Sequence, residues 1–464
     1  MSPDALCRLS AREIAAAVAS RKISPREVVI ASLDRAEAVE PALNAFVQID
    51  RDGALAQAEA LERALAQGAS PGPLAGVPVS VKDLIDVAGL RASYGSLTLK
   101  DAVAEADAPS VERLRRAGAI IIGKTTTSEL GYRGYTQSLV HGDTRNPWDT
   151  ARTPGGSSGG AVASVAAGVT PVALGTDGGG SIRSPAAFTG LVGIKASFGR
   201  VPVWPASATP TLAHVGPIAR SVDDAALLLS VIAGPDRRDA FSLYPPMAEE
   251  PDAAAVKRLR VAFSPTLGYG RVDANVAAVV AEAVRRLAAI WPGIDVVEAV
   301  CPDPAEILSA EFIGGCSARL GDAVDATPDL IDPPLLEAIR AFRRTSADRY
   351  ATLLRQRLVH RETMRLFFER YDLLLTPTTP AVAWRLGPGV PPGHETAAVW
   401  SYFTYPFNLA GLPAATLPAG LADGLPVGLQ LAAPLLEEAR IIASMRLAEV
   451  VLGRLPTPID PSGG

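Results

Sequence analysis

Cysteine and histidine are scarce in this chain of 464 residues. The three cysteines, Cys7, Cys301 and Cys316, form no CxxC motif, and their odd number suits a reducing compartment better than a disulfide scaffold. The four histidines are scattered, with no HExxH motif or other metal-ligand spacing. We therefore expect a cytoplasmic protein with no metal site.

Long apolar runs and an excess of positive charge are also missing. No stretch reaches the roughly 18 apolar residues that a transmembrane helix needs, and the first residues lack the pattern of a signal peptide. The net charge is −5 and the isoelectric point is near 5.6, which disfavours a nucleic-acid-binding surface. What the chain does have is 48% hydrophobic residues, enough for a large core. We expect no membrane or nucleic-acid partner.

Helix-like and strand-like segments alternate along most of the chain. Residues 9–67 have helical spacing, residues 77–81 alternate as a strand, and residues 107–118 and 119–125 predict a helix followed by a buried strand. The same alternation continues to the closing helix, interrupted by a linker-like excursion at 236–252. This pattern predicts an α/β fold.

Two glycine clusters, each with a serine, flank an apolar helix-like run between Arg152 and Arg200. Ser157 lies in GGSSGG and Ser181 follows Gly178, Gly179 and Gly180. Glycine lets a ligand approach the backbone, and consecutive unshielded N–H groups can bind a developing oxyanion. One such cluster is typical of an ordinary turn, whereas two clusters that each contain a serine indicate a catalytic or binding site. Asp177 and Arg183 flank the second cluster as a candidate ion pair that holds the loop.

Lys82 follows the apolar strand VPVSV. Taken alone, such a lysine is most simply a solvated side chain paired with Asp83 or Asp86. A buried lysine has a lowered pKa and can act as a base when neutral. Two serines and one lysine then form a relay, in which Ser181 attacks, Ser157 passes the proton and Lys82 accepts it.

Two other chemistries fit the sequence less well. GGSSG matches the GxSxG nucleophile elbow, but that motif needs a preceding strand and here a loop precedes it. No histidine lies in a recognisable setting as its base. A phosphate-binding loop is disfavoured because neither cluster contains GxxxxGK[ST].

Five segments together resemble the amidase signature family, and the resemblance covers most of the chain. They are VPVSVKD (77–83), RTPGGSSGG (152–160), GTDGGGSIRSPAAFTGLVGIKASFGR (175–200), TLAHVGPIARSVDDAALLL (211–229) and DGLPVGLQL (423–431). The resemblance implies Ser181 as nucleophile, Lys82 as general base and Ser157 as a bridging serine joined to Gly156 by a cis peptide bond. It also implies an oxyanion hole built from the backbone N–H groups of Gly178, Gly179, Gly180 and Ser181.

The resemblance implies a fold and a reaction as well. The fold would be one large α/β domain over 1–464, with a mixed twisted sheet covered by helices on both sides. Within it, a helical segment spans about 1–70, a core about 71–235 and a C-terminal part about 253–464. The reaction would be hydrolysis of an amide, ester or carbamate of a small molecule through an acyl-enzyme, without metal or nucleotide cofactor, by a monomer or homodimer.

Substrate contacts are predicted from the loop at 126–136 and from later helices and loops. The candidates share a place in these variable segments and are Thr126, Tyr132, Arg133, Trp204, Phe312, Ile313, Cys316 and Trp400, the last within an aromatic cluster at 400–407. Few of them are charged, which favours an apolar or aryl acyl group. The loop also differs from the usual family sequence at Thr126, Leu130 and Gly131, and this difference argues against small polar substrates.

Two alternative functions remain open at this point. One is the glutaminase subunit of a tRNA-dependent amidotransferase, although neither Arg319 nor Arg340 is a convincing partner for a substrate carboxylate. The other is a catalytically silent binding or scaffold protein on the same fold, against which the intact set of Lys82, Ser157 and Ser181 argues.

Overall fold

One large mixed sheet organises the computed structural model of this chain, which describes residues 1–387, 389–395, 399–456 and 458. The strands are β1 (Phe46–Ile49), β2 (Pro78–Lys82), β3 (Ile120–Thr125), β4 (Gln137–Ser138), β5 (Gly142–Asp143), β6 (Val172–Thr176), β7 (Val192–Lys195), β8 (Val215–Ala219), β9 (Val261–Phe263), β10 (Asp295–Val296), β11 (Leu373–Pro377), β12 (Ala414–Ala422) and β13 (Leu425–Ala432). The helices are α1 (Pro3–Arg8), α2 (Ala11–Ala19), α3 (Pro25–Leu43), α4 (Arg51–Ala66), α5 (Pro109–Arg116), α6 (Gly159–Ala166), α7 (Arg183–Phe188), α8 (Val222–Ile232), α9 (Ala253–Lys257), α10 (Ala274–Leu287), α11 (Ala305–Leu320), α12 (Ala323–Ala326), α13 (Pro333–Phe342), α14 (Ala347–Arg370), α15 (Tyr405–Ala410) and α16 (Glu438–Leu452).

Eleven of the described strands form the main sheet, in the order β1-β3-β2-β6-β8-β7-β12-β13-β11-β9-β10, while β4 and β5 pair separately. Strand β2 lies parallel to both β3 and β6, and β9 lies parallel to β11 and β10. The remaining pairs are antiparallel. The mixed sheet in a single α/β domain is therefore confirmed.

Strand β2 shows how the sequence divides the two faces of the sheet. Side chains alternate between faces along a strand. Val79 and Val81 are fully buried in the main hydrophobic core, together with residues of α5 and α8. Ser80 contacts Ser164 of α6 on the other face, with the two hydroxyl oxygens 3.2 Å apart. Lys82 lies two residues after Ser80 on the same strand, so its side chain points to the same face of the sheet, toward α6.

Helices cover both faces of the sheet. Helices α8, α10 and α16 pack on the face that holds the main core, and α6 and α7 pack on the other. Helix α6 is rich in glycine, alanine and valine, which brings its backbone close to the chain that follows β3. A Cβ added at Gly160 would lie 2.5 Å from the backbone N of Thr126 and 2.4 Å from the Ala45 carbonyl oxygen.

The N-terminal region differs from its helical prediction at one place. Helices α2, α3 and α4 confirm the helical pattern, and Ser24 caps α3 through a reciprocal bond with Glu27. Strand β1 lies between α3 and α4 and pairs with β3, so the continuous helical segment predicted for 9–67 is wrong at 46–49. Asn44 ends α3 in the left-handed region, with φ of 50°, and turns the chain toward the sheet.

Residues 236–252, the linker-like excursion, contain no helix or strand in the structure. Ser221 caps the start of α8 through one side-chain bond, without the reciprocal bond of a capping box. The Ser221 hydroxyl accepts from the Asp224 N–H, but the Asp224 carboxylate instead accepts from the N–H groups of Ala11 and Arg12. That carboxylate ties the start of α2 to α8.

Candidate active site

The site forms where the parallel strands β2 and β6 end and where α6 and α7 begin. Ends of parallel strands meet at one edge of a sheet, a common place for ligands in α/β folds. Lys82 is the last residue of β2 and Thr176 the last of β6. Ser157 lies two residues before α6, and Ser181 lies two residues before α7. The peptide bond between Gly156 and Ser157 is cis.

The Lys82 amine is fully buried and contacts three hydroxyl groups. Its Nζ lies 2.8 Å from Ser157 Oγ, 2.9 Å from Ser158 Oγ and 2.8 Å from Thr176 Oγ1. It forms no ion pair with a carboxylate of the described residues. The prediction of a solvated lysine paired with Asp83 or Asp86 is therefore wrong. Asp83 instead pairs with the buried Lys124, at 2.9 Å.

Counting donors fixes one of the hydrogen bonds around Lys82. Ser158 Oγ donates its one hydrogen to the Thr176 carbonyl oxygen, at 3.1 Å, so it accepts from the Lys82 amine. A neutral amine has two hydrogens and one lone pair. With one hydrogen on Ser158 and the other on Thr176 Oγ1, the lone pair faces the Ser157 hydroxyl. In such an arrangement the neutral amine can accept a proton from Ser157.

Burial lowers the pKa of Lys82 well below its ordinary value of 10.5, and the charge of Asp177 opposes that shift in part. Taking an ammonium ion out of water disfavours the charged form, and three neutral hydroxyls do not replace a counter-ion. The environment therefore favours the neutral amine that a proton acceptor requires.

Asp177 and Arg183 form the predicted ion pair, and both side chains are fully buried. Arg183 binds both carboxylate oxygens, at 2.9 and 3.0 Å, and also donates to Asn408 and Gln430. Although burial opposes it, the Arg183 guanidinium holds the pKa of Asp177 well below its usual range. The pair anchors the glycine loop, because Asp177 also accepts from the backbone N–H groups of Gly180 and Ile182.

The glycine loop therefore offers fewer free donors than the sequence predicts. The Gly180 N–H donates to Asp177 Oδ1 at 2.7 Å, so it is engaged within the loop and its assignment to the oxyanion hole is corrected. The N–H groups of Gly178, Gly179 and Ser181 donate to no acceptor among the described residues. These three remain as candidate oxyanion donors.

Two cavities adjoin Ser181. The larger, of about 700 Å³, is bordered by Gly179, Gly180 and Ser181. Its wall is mainly apolar and includes Tyr132, Leu308, Phe312, Ile313, Phe342, Leu353, Val390, Val399 and Trp400. The smaller, of about 150 Å³, is bordered by Ser157, Thr176, Gly178 and Ser181 and by Trp204, and Phe312 lines both. Ser157 and Ser181 thus border the same small cavity, and Ser181 borders the larger one as well.

Charges at the larger cavity are paired. Arg133 forms an ion pair with Asp332, and Arg349 forms one with Glu306. Neither of the two arginines weighed for a substrate carboxylate lines this cavity. Arg319 borders the smaller one, with its guanidinium 5.5 Å from the Tyr94 ring, and Arg340 borders neither. The larger cavity is therefore suited to a neutral, apolar group.

Most predicted contact residues line the two cavities, but two do not. Tyr132, Arg133, Phe312, Ile313 and Trp400 border the larger cavity, and Trp204 borders the smaller. The prediction that Thr126 contacts the substrate is corrected, because its hydroxyl lies 2.6 Å from that of Thr144 and is buried in the packing of the loop. The same prediction for Cys316 is corrected as well, since its side chain is buried in a smaller hydrophobic cluster beneath the cavity wall.

Sequence reasoning missed Ser158 and Thr176, which complete the shell of hydroxyls around Lys82. Ser158 stands beside Ser157 in the same motif, and Thr176 ends a strand that the alternation predicts to lie in the sheet. A polar residue at the end of an apolar strand is the signal that points to Thr176, as it does to Lys82.

The part of the chain that the structure describes holds no group of three or more His, Cys, Asp and Glu side chains arranged to bind a metal ion. Among the described helices, none is both long and apolar enough to cross a membrane.

The fold agrees with comparisons to known proteins. The family model described as Amidase matches residues 27–442. The chain is 39% identical to a glutamyl-tRNA(Gln) amidotransferase subunit from Acidothermus cellulolyticus, over 94% of this chain and 93% of that one. It is 38% identical to an acylamidase of Rhodococcus erythropolis, over 96% and 95%.

Solved structures agree with these sequence comparisons. The crystal structure of a bacterial aryl acylamidase superposes with a TM-score of 0.90 at 32% identity, over 98% of this chain and 99% of that one. A 6-aminohexanoate cyclic dimer hydrolase superposes with a TM-score of 0.86 at 29% identity, over the same shares. This chain is thus an enzyme of the amidase signature family, a family of hydrolases that cleave C–N bonds.

Proposed function

We propose that this enzyme is a serine amidase that cleaves carboxamides with apolar or aryl acyl groups. One observation carries the mechanism: the buried Lys82 amine contacts Ser157 Oγ at 2.8 Å, and Ser157 and Ser181 border the same small cavity. The mainly apolar wall of the larger cavity and its paired charges support the choice of acyl group.

The reaction starts with attack of Ser181 Oγ on the scissile carbonyl carbon. The Ser181 proton passes to Ser157, while the Ser157 proton passes to the neutral Lys82. The N–H groups of Gly178, Gly179 and Ser181 stabilise the oxyanion. The C–N bond then breaks, the amine leaves with the proton that Lys82 held, and an acyl-enzyme remains.

Water completes the reaction by attacking the acyl-enzyme from the same side. It gives a proton through Ser157 to Lys82, and the acid leaves as Ser181 regains its hydrogen. Esters and carbamates present the same carbonyl group to the same nucleophile, so they fall within the proposed substrate range.

Covalent labelling tests the nucleophile. A fluorophosphonate should add once per chain, as measured by intact mass, and peptide mapping should place the adduct on Ser181. Ser181→Ala should take up no label and release no product while keeping its circular dichroism spectrum. An adduct on Ser157 would restore the GxSxG hypothesis with a histidine base, and the absence of any adduct would favour a silent scaffold.

The amidotransferase hypothesis needs its own test, because identity to the Acidothermus amidotransferase protein reaches 39% over nearly the whole chain. Glutamine carries two charges that need partners, and the larger cavity has its arginines paired. We expect para-nitroaniline release from apolar acyl anilides and no ammonia release from glutamine. The reverse result would assign the chain to the glutaminase class.

A further inference from the structure

Ser184 carries a hydroxyl group that the proposed mechanism does not use. It lies in the first turn of α7, is 2% exposed and borders the larger cavity beside Ser181. Its Oγ has no hydrogen-bond partner among the described residues. A buried hydroxyl without a partner costs about 1–3 kcal/mol. In a cavity that receives substrate, such a group indicates a partner that arrives with the substrate.

The backbone places Ser184 next to the acyl-enzyme bond. The Ser184 N–H donates to the Gly180 carbonyl oxygen at 2.8 Å, which closes one helical turn over 180–184. Residues three apart on such a turn have Cβ atoms about 5–6 Å apart and share a face. Since Ser181 Oγ bonds to the carbonyl carbon, the first atoms of the acyl chain beyond that carbon lie beside Ser184, and its buried hydroxyl meets them after its side chain rotates toward the cavity.

A hydroxyl that lies beside this loop, that of Thr404 before α15, is already engaged. Thr404 Oγ1 donates to the Gly179 carbonyl oxygen at 2.7 Å, and the cavity wall beyond it is mainly apolar. An all-carbon acyl chain bound here would leave the Ser184 hydroxyl unsatisfied. An oxygen in the chain at the same place would accept its hydrogen.

We propose that Ser184 is a specificity residue that donates a hydrogen bond to a chain oxygen of the acyl group. That oxygen is the first or second atom beyond the scissile carbonyl carbon, as in a carbamate or an alkoxyacyl amide. The inference rests on the proposed function, since it takes Ser181 to be the acylated residue. It selects, within the proposed substrate range, acyl groups with an ether-type oxygen over their methylene equivalents.

Three para-nitroanilide substrates of equal length test this proposal. Pentanoyl has carbon at both positions, propoxycarbonyl has oxygen at the first and ethoxyacetyl has oxygen at the second. The measured quantity is kcat/KM for nitroaniline release, expressed as the ratio of each oxygen substrate to pentanoyl. Comparing that ratio between the native enzyme and Ser184→Ala cancels the intrinsic reactivity of the substrates.

We expect Ser184→Ala to lower one of the two ratios about fivefold to tenfold, the effect of one net hydrogen bond, without slowing pentanoyl. The substrate affected identifies the position of the oxygen. Ser184→Cys, which has nearly the same size but is a weak donor, should lower the same ratio and serves if Ser184→Ala fails to fold. The matched control is Ser444→Ala in α16, another buried serine whose Oγ lacks a partner among the described residues and which borders neither cavity.

Ratios that stay within about twofold of the native values in both Ser184 variants would overturn the proposal, as would an equal change in Ser444→Ala. Failure of the underlying function looks different. In that case the native enzyme releases no nitroaniline from any of the three substrates, or the fluorophosphonate does not label Ser181.

Discussion

At the scale of single residues, the proposed reaction depends on an amine that stays neutral. Burial lowers the pKa of Lys82, so the proton acceptor forms well below the ordinary value of 10.5. We expect kcat/KM to fall toward acid pH as Lys82 gains a proton and to hold level from its lowered pKa upward. Lys82→Arg should be inactive at every pH, because a guanidinium does not lose its proton.

Both expectations for Lys82 are tested by the pH profile of kcat/KM, measured on an apolar anilide with the native enzyme and with Lys82→Arg. The control is Lys100→Arg, the same change at an exposed lysine, which should leave the profile unchanged. Near-native rates in Lys82→Arg would rule out a neutral-lysine base.

Thr176 gives a second prediction at this scale. Its hydroxyl lies 2.8 Å from Lys82 Nζ, and in the proposed reaction it holds the amine so that the lone pair faces Ser157. Thr176→Val keeps the shape and removes the hydroxyl, so kcat should fall about twofold to tenfold with little change in KM. Steady-state kinetics measure both constants, and Thr363→Val on α14 provides a control that removes a half-buried hydroxyl away from both cavities. If the kcat of Thr176→Val equals that of the native enzyme, Ser157 and Ser158 orient the amine without Thr176.

At the scale of elements, the close packing of α6 against the neighbouring chain depends on a glycine. A Cβ at Gly160 would lie 2.4 Å from the Ala45 carbonyl oxygen, so α6 would have to move away from the chain beside β1 and β3. Gly160→Ala should therefore lower the free energy of unfolding by about 1–3 kcal/mol, despite the better helix propensity of alanine. It should also lower kcat, because Ser157 and Ser158 precede this helix.

Urea unfolding and steady-state kinetics check this prediction. Gly293→Ala is the matched control, since a Cβ there meets no atom within 4 Å and its φ lies outside the left-handed region. A Gly160→Ala enzyme as stable as the control would show that the contact at Ala45 relaxes without cost.

Also at this scale, the sequence predicts strands that have an apolar pattern of their own better than a strand that depends on a distant partner. Strand β2 has an alternating apolar pattern, and β3 and β6 contain apolar runs at 120–122 and 172–174, so the local pattern predicts all three. Strand β1 has four residues between two long helices, and its pairing partner β3 lies about seventy residues further along the chain, so local pattern carries no sign of it. The pairing that makes it a strand is a tertiary contact.

At the scale of the whole molecule, the N-terminal helices are part of the main core. Ile14 of α2 is 1% exposed and belongs to the same hydrophobic cluster as Leu228 of α8 and Leu429 of β13. Ile14→Ala should lower the free energy of unfolding by about 2–5 kcal/mol through lost burial and a residual cavity. The kcat of the folded enzyme should not change, because Ile14 packs in the main core and Lys82 faces the other side of the sheet.

Urea denaturation followed by tryptophan fluorescence measures the loss. Val450→Ala in α16, where the side chain is 83% exposed, should stay within about 0.5 kcal/mol of the native value. An Ile14→Ala effect no larger than that of Val450→Ala would mean that the N-terminal segment contributes little to the cooperative core.

The sequence by itself determined the fold class, the two serine-bearing loops and Lys82, because strand alternation, glycine clusters and motif spacing are local or nearly local properties. Only the tertiary structure decided which neighbours surround them. It brought Ser158 and Thr176 to the lysine, gave the Gly180 N–H to Asp177, and turned Thr126 and Cys316 into packing residues. Burial and hydrogen-bond partners are set by segments distant in the chain that meet only when the sheet has formed, and a linear pattern does not record them.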